Sequence, residues 1–204
     1  MEGVIAPEIW IDLAERTGID DLRRTTRDEP DYNQLMQYRL DILDQNDIGI
    51  NTLRPIIEEI EPLPGAREFL DAVRLKYQLI VLSDTFYEFV GPLMIKMGHP
   101  TLFCHRLKVS KEGRIFGYEL RMKNHKKAAV DALRKLNFYT CAAGDSYNDT
   151  LMLEAADVGF LFRPPQNVID EFRQFKVLTE YNSLLAEIDA AELLFQQDVS
   201  AVSP

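Results

Sequence analysis

Two carboxylates four residues apart are the most specific chemical feature of the sequence. Asp145 and Asp149 lie in the run 144–149, which follows an apolar run at 139–143 and precedes a helix-like run at 150–156. This order predicts a loop at the carboxyl end of a strand, the edge where open α/β sheets bind ligands. Carboxylate oxygens there suit a hard dication such as Mg²⁺, which often bridges to phosphate. The structural alternative is that Asp145 makes a turn and Asp149 caps the next helix.

Other polar residues are expected at the same edge of the sheet. Ser83 follows the apolar run 79–82, Lys126 opens a predicted helix, and Glu2 and Gly3 lie near the start of the chain. Phosphoryl transfer uses such a set: a dication and an ammonium neutralise charge, a hydroxyl and backbone amides hold the phosphate, and a carboxylate moves protons. The pattern therefore predicts a phosphoryl-transfer site.

The composition indicates a globular protein with one domain, or one domain with an insertion. The chain has 204 residues, of which 46% are apolar and 27% are charged. No apolar run approaches the length of a membrane span, so a bilayer protein is excluded. The formal charge of −10 argues against nucleic acid as a partner. A small phosphorylated metabolite remains compatible with this charge if a metal ion and a few cations converge locally.

The cysteines and the amino end predict a cytoplasmic protein. Cys104 and Cys141 show no ligand spacing and fit free thiols in a reducing compartment. The first residues lack the basic and apolar segments of a signal peptide. The three histidines, His99, His105 and His125, show no metal-site or triad pattern and are interpreted as residues of the surface or of a site's surroundings.

The elements that must position these side chains fall into two groups. Helical patterns at 8–18, 31–46 and 51–60, with a short one at 19–26, predict a small helical module. Strands and helices alternate after the Pro- and Gly-rich run 61–65, which predicts an α/β fold: a parallel sheet with helices on both faces. A hairpin is expected from strands at 102–109 and 115–120, and the tail from 168 to 195 is predicted to be mostly helical.

Several motifs in order resemble the haloacid dehalogenase-like (HAD) phosphatases, in particular the phosphoserine phosphatase branch. They are Leu-Pro-Gly-Ala at 63–66, Val-Leu-Ser-Asp-Thr-Phe at 81–86 and Gly-Asp-Ser-Tyr-Asn-Asp at 144–149. Glu-Gly-Val at 2–4 and Pro-Glu-Ile-Trp at 7–10 are most similar to bacterial bifunctional phosphoserine phosphatase/homoserine phosphotransferases. The resemblance implies a Rossmann-like core formed by residues 1–7 and 62–204, with a helical cap inserted at 8–61. It also implies a Mg²⁺-dependent phosphomonoesterase that acts on O-phosphoserine, with homoserine as a further phosphoryl acceptor.

The resemblance also assigns roles to individual residues. Asp145 matches a direct Mg²⁺ ligand, with Asp149 and the backbone carbonyl of Glu2 beside the metal. The Glu2 carboxyl matches the general acid/base, and Lys126, rather than Lys127, matches the cation that pairs with phosphate and nucleophile. The substrate would be held by the following residues: Ser83, which binds phosphate, Asp84 and Asn148, which line the site, and Glu8 and Arg39, which read its amino and carboxylate groups.

Each assignment has a structural alternative. Ser83 could cap a helix, and the run 85–88 fits a capping box. Lys126 could be a solvated charge, Glu8 could serve only the helix dipole, and Arg39 could extend from an apolar helix face to the surface. The shared order of the motifs favours the functional roles.

The family nucleophile is an aspartate two positions before the acid/base, so its position falls immediately before Met1. The central strand of the family sheet precedes it and is likewise expected to be missing from this chain. Two hypotheses follow. Either the native protein begins earlier and works through an aspartyl-phosphate, or this chain is a non-catalytic relative that binds Mg²⁺ and a phosphorylated ligand. A third class, a receiver-like or scaffold domain that holds Mg²⁺, is disfavoured because a receiver has no helical insertion. As written, the 204-residue chain is expected to be inactive.

Overall fold

The computed structural model describes residues 1–26, 28–29 and 31–202, without the side chains of 197–202. Its strands form two separate three-stranded sheets, and helices pack on both sides of them. This arrangement confirms the predicted α/β class.

The amino-terminal part of the chain is helical, as its sequence pattern predicts. It contains α1 (Ile9–Thr17), a 3₁₀ turn (Asp20–Arg23), α2 (Tyr32–Gln45) and α3 (Ile50–Glu58). Helix α1 ends at Gly18, whose φ of 72° is the left-handed conformation that glycine adopts easily. Helix α2 begins after Asp31, which accepts hydrogen bonds from the N–H groups of Asn33 and Gln34. These caps explain why the sequence locates both helices well.

The first sheet has the order β1-β2-β3, and the helical module packs against its β2–β3 hairpin. Its strands are β1 (Ile80–Phe86), β2 (Thr101–Val109) and β3 (Ile115–Glu119). Helix α4 (Ala66–Arg74) precedes β1 in the chain, and α5 (Tyr87–Lys96) connects β1 to β2. Strands β1 and β2 are parallel, and β2 and β3 form the predicted antiparallel hairpin. The Ile50 N–H donates to the carbonyl of Gly113 at 2.8 Å, which attaches the start of α3 to the hairpin turn.

The second sheet has the order β4-β5-β6 and is parallel throughout. It contains β4 (Cys141–Gly144), β5 (Val158–Phe162) and β6 (Lys176–Leu178). The helices of this part are α6 (His125–Lys135), α7 (Tyr147–Ala155), α8 (Gln166–Glu171) and α9 (Tyr181–Val202). Strand β6 was not predicted, since the whole tail was interpreted as mainly helical.

A large apolar groove separates the two sheets. Its volume is about 850 Å³, and both β1 and β4 contribute residues to its wall. The buried apolar side chains fall into two clusters, a large one that includes the helical module and a smaller one around α6 and α7. The groove therefore lies between β1 and β4, which belong to different sheets.

No helix among the described residues is both long enough and apolar enough to cross a membrane.

Candidate active site

A polar cavity of about 180 Å³ lies where the carboxyl ends of β1 and β4 meet the amino-terminal segment and the helical module. The fold brings every residue selected from the sequence to its wall. These residues are Glu2, Glu8, Arg39, Ser83, Asp84, Lys126, Asp145, Asn148 and Asp149.

The amino-terminal segment is folded tightly against the loop that contains Asp145. The Met1 carbonyl accepts hydrogen bonds from the N–H groups of Ile5 and Ala6. Gly3 has a φ of 73°, and a Cβ built on it would lie 2.3 Å from Asp145 Oδ2. Glycine is required here because a side chain would meet the carboxylate and because the backbone is left-handed. This contact places Glu2 beside Asp145.

Lys126 is a buried cation held between two carboxylates. Its Nζ lies 2.7 Å from Asp84 Oδ2 and 2.8 Å from Asp149 Oδ1. Burial alone would lower the pKa of this ammonium, but Asp149 and Asp84 together raise it, so Lys126 stays charged. Lys127, in contrast, pairs with Asp131 on the surface. The structure thus places Lys126, rather than Lys127, at the cavity.

Asp145 lies outside the two ion pairs of Lys126. Burial, followed by the charge of Asp149, raises the pKa of Asp145 to about 6. When burial disfavours the ionised form of a carboxylate, a nearby cation stabilises that form strongly. Asp145, with Asp149 beside it, offers the hard carboxylate oxygens that Mg²⁺ takes, so the chemistry of this pair fits the ion.

Glu2 is the candidate general acid of the cavity. Burial, followed by its hydrogen-bonded neighbour Glu8, raises the pKa of Glu2 to about 8. A carboxyl group with its proton near pH 7 is suited to general acid catalysis.

Arg39 carries an unused hydrogen-bond donor at the cavity. Its guanidinium stacks on Trp10, 4.5 Å from the ring centroid, and one terminal nitrogen donates to the Arg24 carbonyl at 2.8 Å. Its Nε is buried without a partner among the described residues. Burial lowers the pKa of Arg39 to about 10, which leaves the group charged at neutral pH. A buried, charged donor of this kind is suited to an anionic ligand.

His105 and His125, which the sequence assigns to the surface or to the surroundings of a site, hold Asp84. His125 Nε2 lies 3.0 Å and His105 Nε2 lies 3.6 Å from Asp84 Oδ1, and both rings are buried. Burial alone would raise the pKa of Asp84. The pKa is nevertheless held well below its usual range by the bonds from His105 and His125 and by the charge of Lys126. Both histidines are distant from Asp84 in sequence, so only the tertiary fold reveals the cluster. His99 is exposed, as expected.

Asp84, His105 and His125 are close enough together to be a possible metal site. The hydrogen bonds favour another role, because His105 Nδ1 accepts the N–H of Arg121 at 3.2 Å. A neutral imidazole then carries its proton on Nε2, the atom that faces Asp84, and this atom cannot also bind a metal. The cluster therefore orients the Asp84 carboxylate toward Lys126.

The structure also decides between several structural alternatives. Helix α5 starts at Tyr87, so Ser83 lies in the irregular end of β1 and caps no helix. The capping box considered as an alternative at 85–88 is not formed, since the Glu88 carboxylate accepts the N–H of Leu107 at 2.7 Å. Asp149 does serve local structure, because its Oδ2 accepts the Asp145 N–H at 3.0 Å.

The chain matches a known family over most of its length. The family described as haloacid dehalogenase-like hydrolase matches residues 6–157. The chain belongs to this family of enzymes. It is 50% identical over 187 residues to "Phosphoserine phosphatase ThrH" of Pseudomonas aeruginosa, covering 92% of this chain and 91% of that protein. A "Phosphoserine phosphatase" of Pseudomonas syringae pv. tomato is also 50% identical over 187 residues, with 79% of that protein covered.

Solved structures of HAD-like enzymes share the fold. A substrate-bound phosphoserine phosphatase complex superimposes with a TM-score of 0.75 at 21% identity, covering 90% of this chain and 92% of that chain. A phosphoserine phosphatase solved as an analogue of its phospho-aspartyl intermediate gives a TM-score of 0.73 at 20% identity, with 90% of this chain covered. At these identities the likeness concerns the fold alone.

Proposed function

We propose that the protein is a Mg²⁺-dependent phosphomonoesterase that acts on O-phosphoserine through an aspartyl-phosphate. The observation that carries the proposal is the convergence, in one cavity of about 180 Å³, of cations for an anionic ligand and carboxylates for a metal. The names of the relatives at 50% identity support phosphoserine as the substrate.

Each part of phosphoserine has a complementary group in the proposed site. Ser83 and Lys126 bind the phosphate, and Arg39 binds the carboxylate with its free Nε donor. Glu8 accepts a hydrogen bond from the ammonium group of the substrate. Asp84 and Asn148 line the cavity. The small volume suits a single amino acid better than a phosphorylated protein.

Glu2 moves the proton in both halves of the proposed reaction. An aspartate oxygen forms a bond to phosphorus, and the leaving serine alkoxide takes the proton from Glu2, whose pKa is raised to about 8. Glu2 then removes a proton from water, which attacks the aspartyl-phosphate and releases phosphate. Asp145, Asp149 and the Glu2 carbonyl would hold Mg²⁺, which supplies charge neutralisation at the phosphoryl oxygens.

The proposed nucleophile is an aspartate joined to the amino side of Met1, outside these 204 residues. The resemblance of Glu2-Gly3-Val4 to the first family motif supports this position. We further propose that residues 8–61 form a cap that closes over the site and excludes water, with residues 1–7 and 62–204 as the catalytic core.

Homoserine as an alternative acceptor is supported only by the likeness to the bifunctional branch. Cytoplasmic location is proposed on the free thiols Cys104 and Cys141.

Phosphate release from phosphoserine tests the function. The 204-residue chain is compared with a form extended at its amino end by an apolar strand and an aspartate, each with Mg²⁺ and with a chelator. We expect Mg²⁺-dependent turnover only in the extended form, and O-phosphohomoserine as a second product when homoserine is added. Turnover by the short form would contradict the account of the nucleophile. Mg²⁺-dependent ligand binding without turnover in the extended form would favour the alternative, a non-catalytic phospho-ligand-binding protein.

A further inference from the structure

The turn that carries Glu2 is attached to a tyrosine that is distant in sequence. Tyr181 is the first residue of α9, and its hydroxyl donates to the Val4 carbonyl at 2.6 Å. The Tyr181 side chain is buried, yet it is not among the residues that line the polar cavity. The bond therefore joins the amino-terminal turn, residues 2–6, to helix α9, and no step of the proposed reaction uses Tyr181 directly.

The ring of Tyr181 is held in place by contacts with several side chains. It stacks on Phe69 and on Phe162, with ring centroids 5.1 Å and 5.0 Å apart. The guanidinium carbon of Arg163 lies 4.8 Å from the ring centroid, and a Cβ on Gly65 would lie 3.3 Å from the ring. A ring packed in this way has little freedom to move, so the core determines where the hydroxyl lies.

Other contacts hold the same turn close to the polar cavity. The Ile5 carbonyl accepts the N–H of Leu63 at 3.1 Å, and Gly3 lies so close to Asp145 that a Cβ would be 2.3 Å from Oδ2. Glu2 lies within this turn. Because an acid delivers its proton only over hydrogen-bond distance, a small displacement of the turn would move the Glu2 carboxyl away from its target.

We propose that Tyr181 is a positioning residue for Glu2: it holds the amino-terminal turn so that the acid stays within reach of the leaving oxygen of the substrate. This inference rests on the proposed function, because it takes Glu2 as the general acid. A purely structural role of Tyr181 would affect all substrates alike. A role in positioning an acid affects only substrates whose leaving group needs a proton.

Two small phosphorylated compounds separate these two roles. The serine alkoxide leaves O-phosphoserine with a proton from Glu2, whereas acetate leaves acetyl phosphate as a stable anion and needs no proton. The value of kcat/KM reports the steps up to the loss of the leaving group, so the later hydrolysis of the aspartyl-phosphate does not affect it. A variant that changes the ratio of kcat/KM for the two compounds has therefore changed acid catalysis.

Tyr181→Phe keeps the ring and removes only the hydroxyl donor. In the amino-extended enzyme it should lower kcat/KM for phosphoserine roughly ten- to a hundredfold, the effect of a slightly misplaced catalytic group. The value for acetyl phosphate should stay nearly unchanged. Tyr77→Phe is the matched control, since the Tyr77 hydroxyl bonds to Asp189 and Glu192 of α9 at 2.7 Å and 2.8 Å rather than to the turn. Equal losses with both compounds, or no loss with phosphoserine, would overturn the proposal.

Hydrogen exchange tests the attachment of the turn without turnover, in the 204-residue chain. The N–H groups of Ile5 and Ala6 bond to the Met1 carbonyl at 2.9 Å and 3.2 Å, so their exchange rates report opening of the turn. Tyr181→Phe should raise both rates roughly tenfold relative to the rate of Leu161 in β5, whereas Tyr77→Phe should not. Unchanged relative rates at Ile5 and Ala6 would likewise overturn the proposal.

Glu2→Gln separates failure of this inference from failure of the proposed function. The amide keeps the shape of the side chain but is no acid, so kcat/KM for phosphoserine should fall roughly a hundred- to ten-thousandfold while acetyl phosphate is spared. Absence of this selective loss would contradict the acid role of Glu2 in the proposed function and, with it, the role of Tyr181. A selective loss in Glu2→Gln but not in Tyr181→Phe would overturn the role of Tyr181 alone.

Discussion

In the proposed site, Arg39 is the residue that would bind the carboxylate of an amino acid substrate. Its charged head is stacked on Trp10 and keeps a buried donor unpaired. In the extended enzyme, Arg39→Ala should raise the KM for phosphoserine roughly ten- to a hundredfold, the effect of losing a charged hydrogen bond. Arg16→Ala, which removes a cation paired with Asp12 and Glu59 at the surface, is the control. Equal KM values for Arg39→Ala and the parent would remove Arg39 from substrate binding.

Lys126 and Lys127 offer a matched test of buried against exposed charge. Lys126→Met leaves Asp84 and Asp149 without their shared cation in a buried setting, and should cost about 3–5 kcal/mol of unfolding free energy. Lys127→Met breaks only the exposed pair with Asp131 and should change stability by less than about 1 kcal/mol. Urea denaturation measures both variants. Similar losses of unfolding free energy in the two variants would show that Lys126 is not the buried centre of the ion pairs with Asp84 and Asp149.

In the proposed metal site, Asp145 should make Mg²⁺ binding dependent on pH. Its pKa is raised to about 6, and Mg²⁺ binds the ionised carboxylate. Protonation below that pKa competes with the metal, so affinity should fall roughly tenfold per pH unit as pH drops below about 6. Calorimetric titration of Mg²⁺ between pH 5 and 8 measures this, with Asp145→Asn as the variant that removes the dependence. An affinity that stays constant across this range would exclude Asp145 as a titrating ligand.

At the scale of elements, the approach of α3 to the hairpin turn depends on a missing side chain. A Cβ at Gly49 would lie 2.5 Å from the Gly113 carbonyl oxygen, whereas one at Gly91, inside α5, would meet nothing within 4 Å. Gly49→Ala should therefore destabilise the protein by about 1–3 kcal/mol through overpacking. Gly91→Ala should stabilise it by about 0.5–1 kcal/mol, because alanine loses less entropy in a helix. Thermal unfolding compares the two, and a stabilised Gly49→Ala would contradict the close packing.

The sequence predicts those elements whose signals are local. Asp31 and Gly18 mark helix ends through hydrogen bonds and backbone geometry within a few residues, so α1 and α2 were located well. Strand β6 was missed because its three residues are defined by pairing with β5, which no local pattern records. Strand β1 extends to Phe86, beyond the predicted turn at Ser83, for the same reason.

The residues that line the polar cavity are predicted through the order of their motifs rather than through local chemistry. Asp145 and Lys126 occupy loop and helix-start positions that the strand–helix alternation predicts at one edge. His105 and His125 carry no such signal, because their function is to hold Asp84 across the tertiary structure. Arg39 was placed on the buried face of α2 by its helical spacing, but its contact with Trp10 depends on how α1 and α2 pack.

At the scale of the whole molecule, the polar cavity and the apolar groove adjoin each other, since Met1 and Asp149 line both. The polar cavity holds groups suited to metal, phosphate and amino acid, and the groove beside it keeps two strand edges open. Because the formal charge of the protein is −10, binding of the proposed anionic substrate would depend on Lys126, Arg39 and a metal within the cavity rather than on the overall field.

Trapping the covalent intermediate tests the central claim most directly. The amino-extended enzyme is mixed with phosphoserine labelled at phosphorus and quenched in acid within the first turnover, and the labelled peptide is mapped. The account predicts a label that hydroxylamine releases, on the aspartate immediately before Met1. Rapid turnover with the label on His105 or His125, or with no label on the protein, would contradict it.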